Sequence, residues 1–346
     1  METAAFFEKL KAYCAIPGPS GMEDAVREQI IADISGSDAE YEVDNLGNLI
    51  VFKKGRNRRP YKLLLAAHMD EVGFMVSAVT DEGLVCFDAV GGIDRRVVSG
   101  RRVHFCKDGR TGIVASKSIH IQTPEEFGKC EPISDMRIDI GCADRAEAET
   151  LVSIGDCAVF PPNYEEFGEG LIKSKAIDDR FGCAVLTELI NSDLEYDTYF
   201  AFNTCEEVGC DGATEVCHRI RPDMAVILEA TTAGDTCDAP EGRRACELRK
   251  GAVLSHMDGG TIYDKDLLSL ALRIGEEENI PCQLKNIVAG GNEARSFQTG
   301  ASGARVLAIS APTRYIHSAC CVAAKEDLLA VERLTRAILE RSIPLC

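Results

Sequence analysis

The chain has 346 residues, 45% of them hydrophobic, and its 38 basic and 56 acidic residues give a formal net charge of -18. This length and composition allow a sizeable core and predict two domains, or one large domain with an insertion. Because so acidic a surface repels polyanions, and no apolar run approaches the roughly 20 residues of a membrane helix, neither nucleic acid nor a membrane is an expected partner.

The amino-terminal segment predicts two helices. Apolar residues recur at helical spacing from Phe6 to Tyr13, before a breaker at 17–19. The stretch from Ser20 to Glu23 has the spacing of a capping box at the start of the second helix. This segment lacks the pattern of a signal peptide, and the sixteen cysteines include no CxxC pair, so we expect reduced thiols and a cytoplasmic location.

Apolar runs predict a layered α/β protein. The run from Leu63 to Ala67 has the length of a strand buried on both faces of a sheet. Further strands are predicted near 41–43, 48–52, 198–203, 224–228, 284–288 and 305–309. Helices are predicted from about 178 to 190, 267 to 274 and 328 to 339.

Between about residues 74 and 160 the pattern changes to short strand-like runs broken by Gly and Asp. We therefore predict a mixed sheet with helices on both faces, interrupted by a smaller β-rich insertion. The predicted boundaries are 1–70 and 166–346 for the discontinuous catalytic domain and 71–165 for the insertion.

Histidine or carboxylate side chains follow four of the predicted strands. They are His68, Glu206 with Glu207, Glu229, and His317, while Asp178 stands just before a helix. The carboxyl ends of strands in an open α/β sheet are where functional groups converge. A single such residue is more often a cap or a surface group, but their repetition predicts a two-metal hydrolase site.

Several motifs make the chain similar to a known family. They are PGPSG (17–21), HMDEVG (68–73), AIDDRFG (176–182), EEVG (206–209), EATTAGD (229–235) and PTRYIHS (312–318). In order and approximate spacing they resemble the tetrahedral aminopeptidases, which include glutamyl and deblocking aminopeptidases and some proteins named endoglucanase. The resemblance implies a zinc-exopeptidase-like fold and a cocatalytic dinuclear metallopeptidase.

The resemblance also implies a role for each residue. One ion would be held by His68 and Glu229 and the other by Glu207 and His317, with Asp178 bridging the two. Asp70 would accept the second ring proton of His68 and so fix its tautomer. Glu206 would be the general base that activates a metal-bridging water, and the reaction would remove the amino-terminal residue of short peptides.

Two physical demands follow from these roles. Because adjacent residues of an extended chain point in opposite directions, Glu206 and Glu207 can serve one site only if the backbone turns, and Val208-Gly209 is a permissive place. The imidazole and carboxylate ligands suit two divalent ions per subunit. Zinc is the ion we expect first, and cobalt and manganese are alternatives. No cysteine falls at a ligand position of the family.

The chain departs from the family pattern at two places. Glu229 stands where many relatives have Asp, which lengthens the ligand by one methylene. Residues 290–294 read GGNEA where the family usually reads GGTDA, and Glu293 is a candidate contact for the substrate amine. The resemblance further implies a homo-oligomer, with a twelve-subunit tetrahedral shell as the family's form.

Two other classes stay open at this point. A glycoside hydrolase of endoglucanase type would use two carboxyl groups without metal, but only 6% of residues are aromatic, there is no tryptophan, and both site histidines would have no role. A catalytically inactive binding or assembly homologue is the other alternative, because of the departures at Glu229 and 292–293.

Overall fold

The computed structural model describes residues 3–236 and 239–343. The strands are β1 Glu40–Val43, β2 Leu49–Lys53, β3 Leu63–His68, β4 Gly73–Val79, β5 Val85–Val90, β6 Arg102–Phe105, β7 Thr111–Ala115, β8 Arg137–Asp139, β9 Cys157–Val159, β10 Glu165–Phe167, β11 Leu171–Ser174, β12 Thr198–Asn203, β13 Met224–Thr232, β14 Ala252–Leu254, β15 Cys282–Leu284, β16 Arg305–Arg314 and β17 Cys321–Ala324. The helices are α1 Thr3–Ala15, α2 Asp24–Ile34, α3 Arg145–Ala148, α4 Ile177–Ile190, α5 Asp211–Ile220, α6 Lys265–Glu277, α7 Ala294–Thr299 and α8 Lys325–Leu339.

A mixed sheet forms the centre of the larger unit. Its order is β1-β2-β12-β3-β13-β16-β17-β11-β10, and β14 with β15 branches from β16. The central strands β12, β3, β13 and β16 run parallel, whereas β1, β2, β17, β11 and β10 pair antiparallel with their neighbours. The prediction of a mixed sheet is confirmed.

The parallel register aligns the strand ends that carry chemistry. His68, the last residue of β3, lies opposite Asn203, the last residue of β12. Glu229 in β13 lies opposite Ser310 in β16. Every residue of β3 is buried, as the continuous apolar run predicted, so the polar groups come together toward the carboxyl-terminal part of the strands.

Helices cover both faces of this sheet, as predicted. Apolar residues of α1, α2, α4, α6 and α8 share one hydrophobic cluster with the sheet. Residues of α5 and α7 pack on the opposite face, around Leu64, Ala66 and Phe297. The sheet is therefore the middle of three layers.

The β-rich insertion is a closed barrel of six strands, in the order β4-β5-β8-β7-β6-β9. It has its own core, in which the rings of Phe87 and Phe160 each pack edge-on against Phe74. The sequence predicted the strand-rich character of this segment but not its closure. The exact domain boundaries stay a prediction.

Two local predictions were wrong. The strand predicted at 284–288 is β15, which ends at Leu284, and Lys285 instead turns its ammonium group toward the carbonyl of Ala289. The capping box does not form, because the Ser20 hydroxyl donates to the Asp70 carboxylate at 2.6 Å, and α2 begins after Glu23. A stronger tertiary acceptor thus displaces the local cap.

Within the described ranges, no helix is both long and apolar enough to cross a bilayer. The cysteines of these ranges are free thiols.

We expect Leu65→Ala to lower the free energy of unfolding by about 2–5 kcal/mol, because Leu65 is fully buried at the centre of β3 and truncation leaves a cavity. The matched variant Leu46→Ala, at a half-exposed turn position, should change it by less than about 0.5 kcal/mol. Denaturant titration of both variants checks the difference, and equal effects would contradict the burial of β3.

Candidate metal centre

The carboxylate of Asp178 lies between two histidines. Asp178 belongs to the first turn of α4, where its backbone and that of Asp179 depart from helical geometry and the peptide between them is cis. Its Oδ1 lies 3.3 Å from Nε2 of His68, and its Oδ2 lies 3.3 Å from Nε2 of His317. The two oxygens of one carboxylate therefore face two different imidazoles.

Each imidazole has a second carboxylate beside it. Nε2 of His68 lies 3.5 Å from Oε1 of Glu229, and Nε2 of His317 lies 3.2 Å from Oε2 of Glu207. The structure thus brings together all five residues that the sequence predicted as metal ligands, in two sets that share Asp178.

The spacing and chemistry of these atoms fit divalent metal ions. Zinc binds nitrogen and oxygen donors at about 2.1 Å, so two donors at a tetrahedral angle lie about 3.4 Å apart. The nitrogen-to-oxygen separations in both sets, 3.2 to 3.5 Å, match that value. Neutral imidazole and carboxylate are also the donors that zinc, cobalt and manganese accept.

The electrostatics of the cluster favour bound cations as well. Burial, reinforced by the charge of Asp178, raises the pKa of Glu207 to about 8. Burial and the same neighbour raise the pKa of Glu229 well above its usual range. Carboxylates held this close out of water are costly as anions unless positive charge lies between them.

Each histidine directs its other ring nitrogen at an acceptor. Nδ1 of His317 lies 2.9 Å from the carbonyl oxygen of Gly92, in the loop that follows β5 of the barrel. Nδ1 of His68 lies 3.2 Å from the carbonyl oxygen of Asp70 and 3.3 Å from its Oδ1. Because a carbonyl only accepts, both Nδ1 atoms carry the proton, which leaves Nε2 free as a ligand.

Asp70 connects three segments of the site. Besides lying beside His68, its carboxylate accepts hydrogen bonds from the Ser20 hydroxyl at 2.6 Å and from the backbone N–H groups of Glu206 and Glu207, each at 3.1 Å. Its side chain is fully buried. Asp70 therefore positions the Glu206-Glu207 pair as well as the imidazole.

The backbone turns at the two glutamates, as the sequence required. The N–H of Gly209 donates to the carbonyl of Glu206 at 3.0 Å, and Cys205, just before the pair, is left-handed with φ 57°. Glu207 consequently points at His317, whereas Glu206 lines the adjoining cavities. The Cys210 thiol lies 3.5 Å from Oε1 of Glu206, and burial raises the pKa of that carboxyl.

Left-handed residues other than glycine flank the other ligands too. Ala176 has φ 53°, Tyr315 has φ 57° and His317 has φ 56°. Such conformations cost on the order of 1–3 kcal/mol each and persist where the surrounding structure enforces them, which is typical of functional sites.

Sequence reasoning gave no role to Asp179. Its buried carboxylate accepts from the backbone N–H groups of His68 at 3.3 Å and Gly182 at 2.9 Å. Asp179 can be grouped with His68 and Glu229 by distance alone. Because its oxygens are already bonded to amides, Asp178 is the better bridging ligand and Asp179 ties β3 to α4.

The roles of Ser20 and Gly92 were also missed. The only signals were a serine in PGPSG, which read more simply as a cap, and the Gly91-Gly92 pair after a strand. Neither pattern by itself indicates contact with a residue far along the chain.

Glu293 does not reach the cavity wall. Its carboxyl is fully buried, and Oε2 accepts from Nδ2 of Asn203 at 2.9 Å, while burial raises its pKa to about 8. Its neighbour Asn292 lines the cavities instead. The predicted contact with the substrate amine therefore has no support from this geometry.

Two cavities meet at the cluster. The smaller, about 160 Å³, is lined by Asp178, Glu229 and the buried Lys285. The larger and more open one, about 800 Å³, is lined by Glu207 and residues of α7. Glu206 and His317 border both.

A parallel-centred α/β sheet with imidazoles and carboxylates gathered at its carboxyl edge is the arrangement of a metal-dependent hydrolase. The particular family is shown by comparison with known proteins. The chain belongs to the M42 glutamyl aminopeptidase family, whose model matches residues 47–334.

Curated relatives match over nearly full length. A putative aminopeptidase of Acetivibrio thermocellus is 38% identical over 341 residues, covering 98% of this chain and 100% of the relative. The glutamyl aminopeptidase of Lactococcus lactis is 30% identical, covering 96% and 95%. The lysyl aminopeptidase of Pyrococcus furiosus is 28% identical, covering 98% of each.

Solved structures agree. An aminopeptidase from the archaeon Desulfurococcus kamchatkensis matches with a TM-score of 0.93 and 30% identity, over 99% of this chain and 97% of that one. The TET1 peptidase of Pyrococcus horikoshii, which can assemble into a tetrahedron or a large octahedral shell, matches with a TM-score of 0.85 and 33% identity, over 96% and 99%. The chain is thus a hydrolase acting on peptide bonds.

We expect Asp70→Asn to weaken metal affinity or activity by roughly 10- to 100-fold, because a carboxamide has one accepting oxygen, whereas the Asp70 carboxylate accepts at both oxygens from Ser20, Glu206 and Glu207. Zinc titration followed by peptidase assay measures the loss. Asp88→Asn, an exposed position on the barrel, is the matched control and should leave both quantities unchanged.

Proposed function

We propose that this protein is a dinuclear metallo-aminopeptidase that removes the amino-terminal residue of short peptides, with Glu206 as the general base. The observation that carries the proposal is the pair of ligand sets on either side of Asp178. His68 and Glu229 would hold one ion and Glu207 and His317 the other, with Asp178 contributing one oxygen to each. Zinc suits these donors best, and cobalt or manganese is acceptable.

When bound, the two ions would polarise the scissile carbonyl and lower the pKa of the attacking water. The protein's own part is proton transfer and orientation. Glu206 takes a proton from the attacking water and returns it to the nitrogen of the leaving peptide. Asp70 holds the backbone of Glu206 so that its carboxylate stays at the junction of the two cavities.

Glu206 suits the base role better than Glu207. Oε2 of Glu207 lies beside His317, in ligand position. Among the described residues, by contrast, the hydrogen bond to the Glu206 carboxylate comes from the Cys210 thiol, a weak donor. Burial raises the pKa of Glu206, which makes it a stronger proton acceptor.

The longer ligand at Glu229 is accommodated by the backbone. Its Oε1 accepts from the N–H of Ala230 at 3.1 Å while facing Nε2 of His68. This bond fixes the extra methylene, so the Glu229 oxygen still meets the other donors. The departure from Asp is therefore compatible with metal binding.

The competing interpretations fit less well. A glycoside hydrolase would need two carboxyl groups free to act on a sugar, but the carboxylates here surround two imidazoles, and the family is one of peptidases. An inactive homologue would not be expected to keep the complete set of predicted ligands together with Glu206.

The oligomeric state that we propose for this protein is based on its relatives. The Pyrococcus horikoshii peptidase can form a tetrahedron, and we propose a homo-oligomer here, with a dodecamer as the first form to test by mass measurement in solution. A cytoplasmic location stays a prediction.

The smaller cavity favours an acidic first residue. Lys285, 6% exposed, is the only lysine or arginine in its described lining, and its Nζ donates to the carbonyl of Ala289. The hydroxyls of Ser255 and Ser310 line the same cavity without a hydrogen-bond partner among residues 3–236 and 239–343. These groups could hold a side-chain carboxylate, because the carboxylate of Asp258 in the same lining already accepts hydrogen bonds from Tyr263 and from backbone N–H groups.

We expect Glu206→Gln to lower kcat by at least about 100-fold with metal content unchanged, because a carboxamide cannot accept the proton but need not disturb the ligands. The measurement is hydrolysis of a panel of aminoacyl substrates by enzyme loaded with zinc, cobalt or manganese. Glu215→Gln, on α5, is the matched control and should retain full activity.

The proposed function fails if the loaded enzyme hydrolyses no substrate of the panel. It also fails if Glu206→Gln has no effect, or if activity on polysaccharide persists in the presence of a chelator.

We expect Lys285→Met to lower kcat/KM for substrates with amino-terminal Glu or Asp by roughly 10- to 100-fold, because the side-chain carboxylate loses a charged hydrogen-bond donor. Substrates with amino-terminal Ala should be affected far less. The exposed Lys265→Met is the control. A wild-type enzyme that prefers Lys or Leu over Glu would contradict this assignment.

A further inference from the structure

The larger cavity has the position of an exit for the leaving peptide. It shares Glu206 and His317 with the smaller cavity, so a peptide bond cleaved at Glu206 would have one side in each. The first residue of the substrate fits the smaller, less open space. The remainder of the peptide must then lie in the larger one.

Seven of the sixteen described residues that line this larger cavity are glycines. Glycines in its lining are Gly92, Gly209, Gly259, Gly260, Gly290, Gly291 and Gly300. Gly259 and Gly290 are joined by a backbone hydrogen bond of 2.7 Å, which sets two of these stretches side by side. Because glycine has no side chain, an extended peptide backbone can approach such walls closely.

One cationic side chain stands in this space. Arg295, on α7, is the only lysine or arginine in the described lining, and it is exposed. A Cβ atom placed on Gly260 would lie 3.0 Å from Cδ of Arg295, so the aliphatic part of the arginine lies over that glycine. Within residues 3–236 and 239–343 its guanidinium makes no hydrogen bond or ion pair, so its N–H donors are available to a ligand in the cavity.

The charge of the site gives this arginine a specific use. The cavity wall carries Glu206 and Glu207, and the terminal carboxylate of a short peptide lies within a few residues of the scissile bond. Each extended residue spans about 3.3–3.6 Å, so in a di- or tripeptide that carboxylate stays near these glutamates. An unpaired guanidinium in the same cavity is within reach of that carboxylate and can bind it through two parallel N–H groups.

We infer that Arg295 binds the free C-terminal carboxylate of the leaving peptide and makes the enzyme selective for short peptides with an unblocked carboxyl terminus. This inference rests on the proposed aminopeptidase function and adds a subsite on the leaving-group side. Arg295 selects substrate and takes no part in the proton transfer.

The test compares peptides Xaa-Ala, Xaa-Ala-Ala and Xaa-Ala-Ala-Ala as free acids and as C-terminal amides, with Xaa the best first residue of the substrate panel. We expect the wild-type ratio of kcat/KM, acid over amide, to reach at least about fivefold at one length and to fall at high salt. The peptide length that gives the greatest acid-over-amide ratio of kcat/KM indicates how far the guanidinium of Arg295 lies from Glu206.

Variants separate this subsite from a structural role. Arg295→Met should bring the ratio to about one, and Arg295→Lys should restore part of it. Arg58→Met, an exposed arginine near the amino end of β3, should keep the wild-type ratio. Equal rates on acids and amides at every length, or an unchanged ratio in Arg295→Met, would overturn the inference while leaving the proposed function intact.

A binding measurement decides the matter without turnover. By calorimetry on the Glu206→Gln variant, which should not hydrolyse peptides, Xaa-Ala-Ala should bind more tightly than its C-terminal amide, and the added substitution Arg295→Met should remove the difference. If the acid and the amide bind equally, or if a preference follows a side-chain carboxylate rather than the terminal one, Arg295 is not the subsite we infer.

Discussion

The buried carboxylate of Asp70 is the constraint on which the site depends. It is the only group that contacts the amino-terminal loop through Ser20, the end of β3 at His68 and the turn after β12 at Glu206-Glu207, taking the described residues together. A buried carboxylate is stable only when its oxygens accept such bonds. The three segments are therefore fixed relative to one another by the need to satisfy one anion.

A second buried network supports the first. Glu71, next to Asp70, accepts from Lys175, Arg180 and the N–H of Gly18, all of them out of solvent. Arg180 also donates to backbone carbonyls of α1 and of Met69. Because removing one partner of a buried pair leaves an uncompensated charge, this arrangement holds α4, and with it Asp178, in one place against the amino-terminal segment.

Much of the fold and of the ligand set could be predicted because both rest on local patterns. The run before His68 predicted β3, and the repeated polar residues after strands predicted which side chains converge. What could not be predicted depends on contacts between distant residues. The sequence favoured Ser20 as a helix cap, whereas its hydroxyl donates to Asp70, and Lys285 lay in an expected strand. The burial of Glu293 and its bond to Asn203 likewise depend on residues far apart in the chain.

The hydrogen bond from His317 to the carbonyl of Gly92 makes the centre depend on both units of the chain. Gly92 belongs to the inserted barrel, while His317 belongs to the sheet domain that the barrel interrupts. The inserted barrel thus orients a residue of the candidate metal centre and contributes to the site. An engineered deletion of the barrel would remove the carbonyl that orients this imidazole, so the sheet domain alone would hold an incomplete centre.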